Sequence, residues 1–360
     1  MNTDWQRSLE SHGAHIVDGV VQDFGDPAAE LEAARSGSVL ADLSHLAVLE
    51  FSGADAEAFL HGQLSCDARG MNPDASSLGS YCTPKGRMLA DFLLWRVAGG
   101  YRMALSRTIA ASIQKRLRMY VLRSKVQITD ASDAVVLLGA AGPAAPQALG
   151  AVLPGGPQAD PKADPKVDPK VDYSATHFGD GGSVIALPGA RYLIAVPAAG
   201  AARLWSELAA RLRPVGTPCW EWLDIHNGFP LVTARTQEQF VPQMVNLELI
   251  GGVNFNKGCY PGQEIVARTQ YLGKVKRRMF LAHLDADVPP ETRPEPGEEI
   301  FSDDIPGQAS GMVVNAQPSP TGGYDLLAVV QLSSREASVA HLRSSNGPVL
   351  RFLDLPYAVS

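Results

Sequence analysis

The sequence predicts an α+β protein, and three observations carry that reading. Helical and hairpin signals alternate irregularly along most of the chain, without a regular βαβ repeat. After about Lys276 only strand patterns remain, separated by Pro- and Gly-rich turns. The chain has 360 residues, of which 45% are hydrophobic and 19% charged, enough to bury substantial cores in two or three domains.

Each element has a local reason. Asp26-Pro27 is an N-cap followed by proline at the first helical position, and Gly37 ends the pattern, so Ala28 to Ser36 reads as a helix. Val48 to Phe51 reads as a strand and Ala54 to Gln63 as a second helix. Ala90 to Val97 and Tyr101 to Ser106 form a hairpin across Gly99-Gly100. A longer helix covers about Thr108 to Tyr120, with strands at Val126–Thr129 and Ala134–Ala140. The runs SVIALP and RYLIAVP flank a turn at Pro188-Gly189, and Leu204, Leu208 and Leu212 recur at helical spacing. Thr217 caps, Pro218 opens and Gly228 closes a short helix bearing Trp220 and Trp222. Two Trp residues in three positions cannot share one helical face, so at least one is expected at a cleft or another domain, or both in interfaces. The final runs RMFLAHL, GQASGMVVNA, YDLLAVVQL and PVLRFLDLP predict a small β-barrel or sandwich. The expected organisation is residues 1–275 as an α+β region of two intertwined subdomains and 276–360 as the barrel.

The segment ADPKADPKVDPKVD (Ala159 to Asp172) repeats Asp-Pro-Lys with almost nothing to bury, and it reads as an extended or disordered insert. The polar N-terminus lacks an apolar signal region, and no apolar run approaches about 18 residues, so cytoplasm is the expected compartment and no membrane partner is expected. Four cysteines, Cys66, Cys82, Cys219 and Cys259, form no CxxC pair or zinc spacing, so reduced thiols and no metal site are expected. A formal net charge of -7 argues against general nucleic-acid binding, while the run Gly273 to Arg278 reads as a solvated strand end or a contact for an anion.

The stretch NKGCYPGQE, Asn256 to Glu264, places a cysteine inside a turn that needs Gly and Pro but no thiol. Gly258 and Gly262 let the backbone turn sharply and present Cys259. Lys257 and the downstream Arg268 are expected to keep the local potential positive, which favours thiolate. Residue types alone leave the other reading open, that of an inert small hydrophobe.

The block FVPQMVNLELIGGVNFNKGCYPGQEIVART resembles the signature of the YgfZ family of folate-binding proteins, with its Lys-Gly-Cys-Tyr-x-Gly-Gln-Glu core. The resemblance extends to LDIHNGFPLV, to DLSHLAVLEFSGADAEAFLHGQLSCD and to YCTPKGRMLADF, most of the chain apart from the insert. It implies a folate-binding, aminomethyltransferase-like α+β region with a C-terminal β-barrel. It also implies tetrahydrofolate or a derivative as cofactor, and a role in assembly, insertion or repair of iron–sulfur clusters in client enzymes such as a tRNA methylthiotransferase. Carried over by position, Cys259 and Lys257 are the working residues. Trp220, Leu46, Asp91, Gln243, Asn246, Tyr260, Gln263, Glu264 and Arg268 are the folate-binding set. Two positions depart from the pattern: Leu46 stands where a folate-contacting aromatic is found, and Ala90-Asp91 where aminomethyltransferases carry an Asp-Asp pair. Three readings follow. One is a folate-dependent iron–sulfur maintenance protein outside the classical enzymes, another a tetrahydrofolate-dependent one-carbon transferase, and the third a non-catalytic scaffold stabilised by folate.

Overall fold

The computed structural model describes residues 1–153, 173–179, 181–273, 275–286, 293–337 and 339–359, and the Asp-Pro-Lys insert lies outside them. The chain divides into two compact units. One comprises Met1–Leu60, Ala68–Ser77 and Phe92–Trp220, the other His61–Asp67, Leu78–Asp91 and Glu221–Ser360. The boundary expected near 275 thus falls inside the second unit.

In the first unit, α1 (Thr3–Ser11) starts at Asn2, whose side chain accepts the N–H groups of Asp4 and Trp5. A short hairpin, β1 (His15–Val17) and β2 (Val20–Asp23), leads to α2 (Pro27–Ser36), where the Asp26 carboxylate accepts the Ala29 N–H at 3.0 Å. Then follow β3 (Val39–Asp42), β4 (Leu46–Ser52), α3 (Ala56–Gln63), β5 (Ser76–Cys82), β6 (Met88–Val97) and β7 (Gly100–Ser106). After these come α4 (Arg107–Val121), β8 (Gln127–Asp130), β9 (Val135–Ala141) and α5 (Ala145–Val152). The series closes with β10 (Ala175–Phe178), β11 (Gly182–Leu187), β12 (Arg191–Pro197), α6 (Ala198–Ala209), β13 (Arg213–Val215) and α7 (Thr217–His226); of these elements, α3, β5, β6 and α7 are each divided between the first unit and the second.

The larger sheet of this unit runs β10-β11-β12-β9-β3-β13, antiparallel except where β13 lies parallel to β3, with Val215 opposite Ala41. Its core gathers Leu40, Leu138 and Ile194 from the sheet with Trp5, Leu9, Leu149, Trp205 and Leu208 from the helices. The Trp5 and Trp205 rings meet edge to face at 5.6 Å. A second group of strands follows the order β6, β7, β4, β8. Leu93–Val97 of β6 pair with β7 across Gly99, whose φ of +85° suits the tight turn. Helix α4 buries Ile109, Ile113 and Leu117 on one face, at the spacing a helix requires.

The second unit contains a 3₁₀ turn (Pro242–Val245), α8 (Gln263–Tyr271) and the strands β14 (Arg277–Leu284), β15 (Glu299–Ser302), β16 (Ala309–Pro318) and β17 (Tyr324–Gln331). Helix α9 (Leu332–Ala337) and strands β18 (Ala340–Leu342) and β19 (Val349–Leu353) complete it. The strands close into a barrel, β14-β17-β16-β15-β18-β19, around Ile300, Val313, Leu326, Ala328, Leu342 and Leu350. Closure leaves no unpaired sheet edge. Inside this unit the buried Asp325 carboxylate of β17 accepts hydrogen bonds from Trp222 Nε1 (2.8 Å), His226 Nε2 (2.8 Å) and His283 Nδ1 (2.6 Å). Burial alone would raise its pKa. The bonds from His226, His283, Trp222 and Ser319 outweigh that and hold the carboxyl well below the usual carboxylate range.

Candidate Cys259 loop

The loop that leads into α8 lies in the second unit and is tied down along its length. The Asn254 N–H donates to the Ser65 carbonyl at 2.9 Å, and the Asn254 side chain accepts the Asn256 N–H at 2.8 Å. The Lys257 ammonium turns inward. It donates to the carbonyl of His61 and, at 2.6 Å, to that of Leu64, and it stands 4.9 Å from the centre of the Tyr260 ring. Lys257 and Tyr260 are buried, while Gly258 and Cys259 between them are exposed. Two buried pegs therefore bracket an outward-facing thiol. The glycines are needed for space as well as for conformation. A β-carbon on Gly258 would stand 3.0 Å from His61 Nε2, and one on Gly262, at φ +85°, would run into the Thr83 carbonyl of the turn Thr83–Arg87.

Lys257 was expected to supply a field for the thiol, but its donors are directed to backbone carbonyls. Arg268 is exposed in the last turn of α8. The residue that sequence reasoning passed over is His61. Its Nδ1 pairs with Asp67 at 2.9 Å, which orients the ring, and its Nε2 is the atom nearest to where a Gly258 side chain would begin. The carboxylate on one imidazole nitrogen fixes the ring, with the other nitrogen beside Gly258, the residue before Cys259. The signal was present in the spacing of HGQLSCD, which places the carboxylate six residues after the imidazole.

The other three cysteines are buried. Burial pushes the Cys82 thiol up to about 11, against the opposing hydrogen bond with Ser80. Burial, and then the Glu30 carboxylate, push that of Cys219 up to about 12. Both stay protonated at neutral pH. Tyr260 is raised first by burial and then by the nearby Cys82 and Cys66, and its hydroxyl has no hydrogen-bond partner among the described residues.

The polar residues expected to meet folate are partly committed to the fold. The Gln243 amide donates to the Val266 carbonyl at 2.7 Å and the Asn246 amide to that of Met279 at 2.8 Å, which ties the 3₁₀ turn to α8 and to β14. Gln243 Oε1 has no partner among the described residues. Arg278, the end of the basic run, is buried, donates to the Gln243 carbonyl at 2.8 Å and pairs with Glu248. It is an internal strut and not part of a solvated strand end. Gln263 is half-buried and Glu264 exposed in the first turn of α8. Asp91 of β6 is buried and accepts the Val232 N–H at 2.7 Å. Burial foremost, with a smaller push from Asp224, carries its carboxyl up to about 7 against that hydrogen bond. Trp220 and Leu46 belong to the first unit. Leu46 opens β4, half-buried. Trp220 is 2% exposed, with the Arg191 guanidinium 5.6 Å from the centre of its ring and Gly139 so close that a β-carbon there would stand 2.5 Å from a ring carbon. Trp222 is buried too, so neither Trp presents a face to solvent.

Residues 12–160 match the model of the GCVT N-terminal domain. The chain is 33% identical over 311 residues to the tRNA-modifying protein YgfZ of Edwardsiella ictaluri (strain 93-146), covering 86% of this chain and 89% of that protein. The chain belongs to the YgfZ family. A second relative, YgfZ of Sodalis glossinidius (strain morsitans), is 30% identical over 336 residues, covering 92% of this chain and 97% of its own length. The glycine cleavage system aminomethyltransferase T from Bartonella henselae superposes with a TM-score of 0.73, covering 99% of this chain and 98% of its own. At 17% identity that likeness is one of fold. This member of the YgfZ family therefore has an aminomethyltransferase-type architecture, and it carries the Lys-Gly-Cys loop.

Proposed function

We propose that this chain is a folate-dependent maintenance protein for iron–sulfur enzymes, supporting tRNA modification through such a client, with Cys259 as its working thiol. The observation that carries the proposal is that Cys259 is the exposed thiol among four cysteines, held outward by buried neighbours on a fixed loop. His61, oriented by Asp67, is suited to accept the thiol proton. A single cysteine cannot hold a cluster, so any cluster at this loop takes its remaining ligands from a client or from small molecules.

Tetrahydrofolate is the cofactor that the fold family implies. Gln243 Oε1 and the Tyr260 hydroxyl are buried polar atoms with no partner among the described residues, an acceptor and a donor of the kind a pterin's amino and amide groups can pair with. Together with Asp91 they are the residues of the second unit that would hold it, and folate would supply one-carbon chemistry at its ring nitrogens. Trp220, enclosed in its own core, shapes the first unit and offers no open stacking face.

The test is complementation of a deletion strain by Cys259→Ser, scored by the methylthiolated nucleoside content of tRNA and by the fold of the purified variant. Loss of modification with the fold intact is expected. Full restoration would give first place to the scaffold reading. One observation favours one-carbon transfer as a second reading: Asp91, at about 7, is poised to exchange protons near neutrality. That reading requires Asp91→Asn to abolish function while Cys259→Ser does not.

A further inference from the structure

We infer that the C-terminal end of α4 is a docking surface for an acidic segment of a partner protein that carries apolar side chains among its carboxylates. From Arg107 to Thr129 the sequence contains no Asp or Glu, yet Lys115, Arg116, Arg118, Arg123 and Lys125 fall within eleven positions of a chain whose formal net charge is -7. None of the five forms an ion pair with a carboxylate among the described residues; Asp55 approaches only the backbone N–H of Lys125, at 2.7 Å. Interleaved with these cations are three of the large exposed hydrophobics of the protein, Met119 (61% exposed), Tyr120 (43%) and Leu122 (87%).

Cations at a helix C-terminus complement its dipole, which accounts for Arg118 but not for the apolar side chains. Leu122 sharpens the point. It is the C-cap residue, with φ +46° and ψ −106°, a positive φ that glycine adopts freely and side-chain-bearing residues rarely do, so the chain accepts backbone strain and displays a leucine there. Beside it a groove of about 320 Å³ runs between the end of α4 and edge strand β8, lined by Arg118, Val121, Val126, Gln127, Ile128 and Thr129.

The occupant does not add as a further strand, because the Ile128 carbonyl is already taken by Arg118 Nη2 (2.7 Å) and Nε (3.2 Å) and by Gln114 Nε2 (3.3 Å). It rests on the surface, apolar side chains over Met119 and Leu122 and carboxylates facing the cations. Nucleic acid is the poorer fit, since phosphates ask for cations and stacking and leave Leu122 and Met119 unused.

The full-length protein would be titrated, by fluorescence anisotropy, with a labelled Leu/Glu amphipathic peptide, an all-Glu peptide and bulk tRNA, with wild type followed by sedimentation. The Leu/Glu peptide is expected to bind. Leu122→Gly, which relieves the positive φ and leaves the melting temperature unchanged or higher, should weaken it about tenfold by removing one buried leucine contact. Arg123→Ser with Lys125→Ser should weaken it by a similar factor and flatten its salt dependence. The inference is overturned if no peptide binds, if the all-Glu peptide binds equally well, or if Leu122→Gly leaves affinity unchanged. It also falls if tRNA binds more tightly without regard to Leu122, or if Leu122→Gly dissociates a wild-type homodimer, which would give the face to a second copy.

Discussion

Replacing Lys257 with Ala separates two roles that one side chain cannot both fill. In the structure its ammonium is a buried peg that binds the carbonyls of His61 and Leu64 and sits over the Tyr260 ring. Hydrogen bonds from a charged donor contribute about 1.5 to 3 kcal/mol each, and the truncated variant leaves two carbonyls short of a partner. The contact with the ring adds about 0.5 to 2 kcal/mol. These contributions overlap, so Lys257→Ala should lower the unfolding free energy by about 3 to 5 kcal/mol, read as a shift of the urea midpoint. Local opening of the loop should rise with it, seen as faster hydrogen exchange near Asn254–Gly262. Alkylation of Cys259 by iodoacetamide should then hold steady or quicken as the loop loosens. Lys257→Arg keeps the charge but presents a planar fork where a compact ammonium fits, so it too should lose stability. An unchanged urea midpoint in Lys257→Ala, together with slower alkylation of Cys259, would refute the peg and restore the lysine as a source of field for the thiolate.

Trp220→Ala should cost about 3 to 5 kcal/mol of stability, because a ring this enclosed leaves a cavity behind; thermal unfolding checks it, and a fully stable variant would mean that the side chain packs poorly. Asp91, buried with its pKa raised to about 7, favours folding while protonated, and that contribution is full below the unfolded carboxyl's pKa of roughly 4 and is lost as pH rises through about 7. Asp91→Asn should therefore gain on wild type as pH rises from roughly 4 to 7 and keep that gain above it, and stability–pH curves that stay parallel across this window would contradict this. Asp325 has the opposite sign. Its carboxyl is depressed, so its stabilisation is present above roughly pH 4 and lost as pH falls further. Asp325→Asn should cost about 3 to 5 kcal/mol at pH 7 and progressively less on acidification, by urea titration across pH.

What the sequence could disclose was what local chemistry decides. The Asp26-Pro27 start and Gly37 stop of α2, the hairpin at Gly99 and the four long barrel strands all carry their signals within a few residues. Strand β3 does not. It lies between β9 and β13 and is buried along its whole length, so Val39–Asp42 shows no alternation to separate a strand from any short apolar run. The short barrel strands β15 and β18 are legible only through their partners. At the loop, glycine chemistry disclosed that Cys259 faces outward, but the direction of Lys257 depends on carbonyls of His61 and Leu64, nearly two hundred positions earlier. The same holds for Gln243 and Asn246, whose amides look like ligand contacts in the motif and are tethers in the fold.

The composition of the second unit bears on how the protein is made. Its segments His61–Asp67 and Leu78–Asp91 leave the ribosome long before Glu221–Ser360, the stretch that gives them their native neighbours. During synthesis they must wait, apolar side chains such as Leu64, Tyr81 and Met88 still uncovered, while well over a hundred residues are added. Assembly then depends on closing very long loops, a slow step that leaves the nascent chain open to capture by chaperones or to aggregation. By the same logic, a fragment starting at Glu221 is no minimal version of the protein: it would carry Cys259 on a loop whose anchoring carbonyls were left behind on the discarded piece.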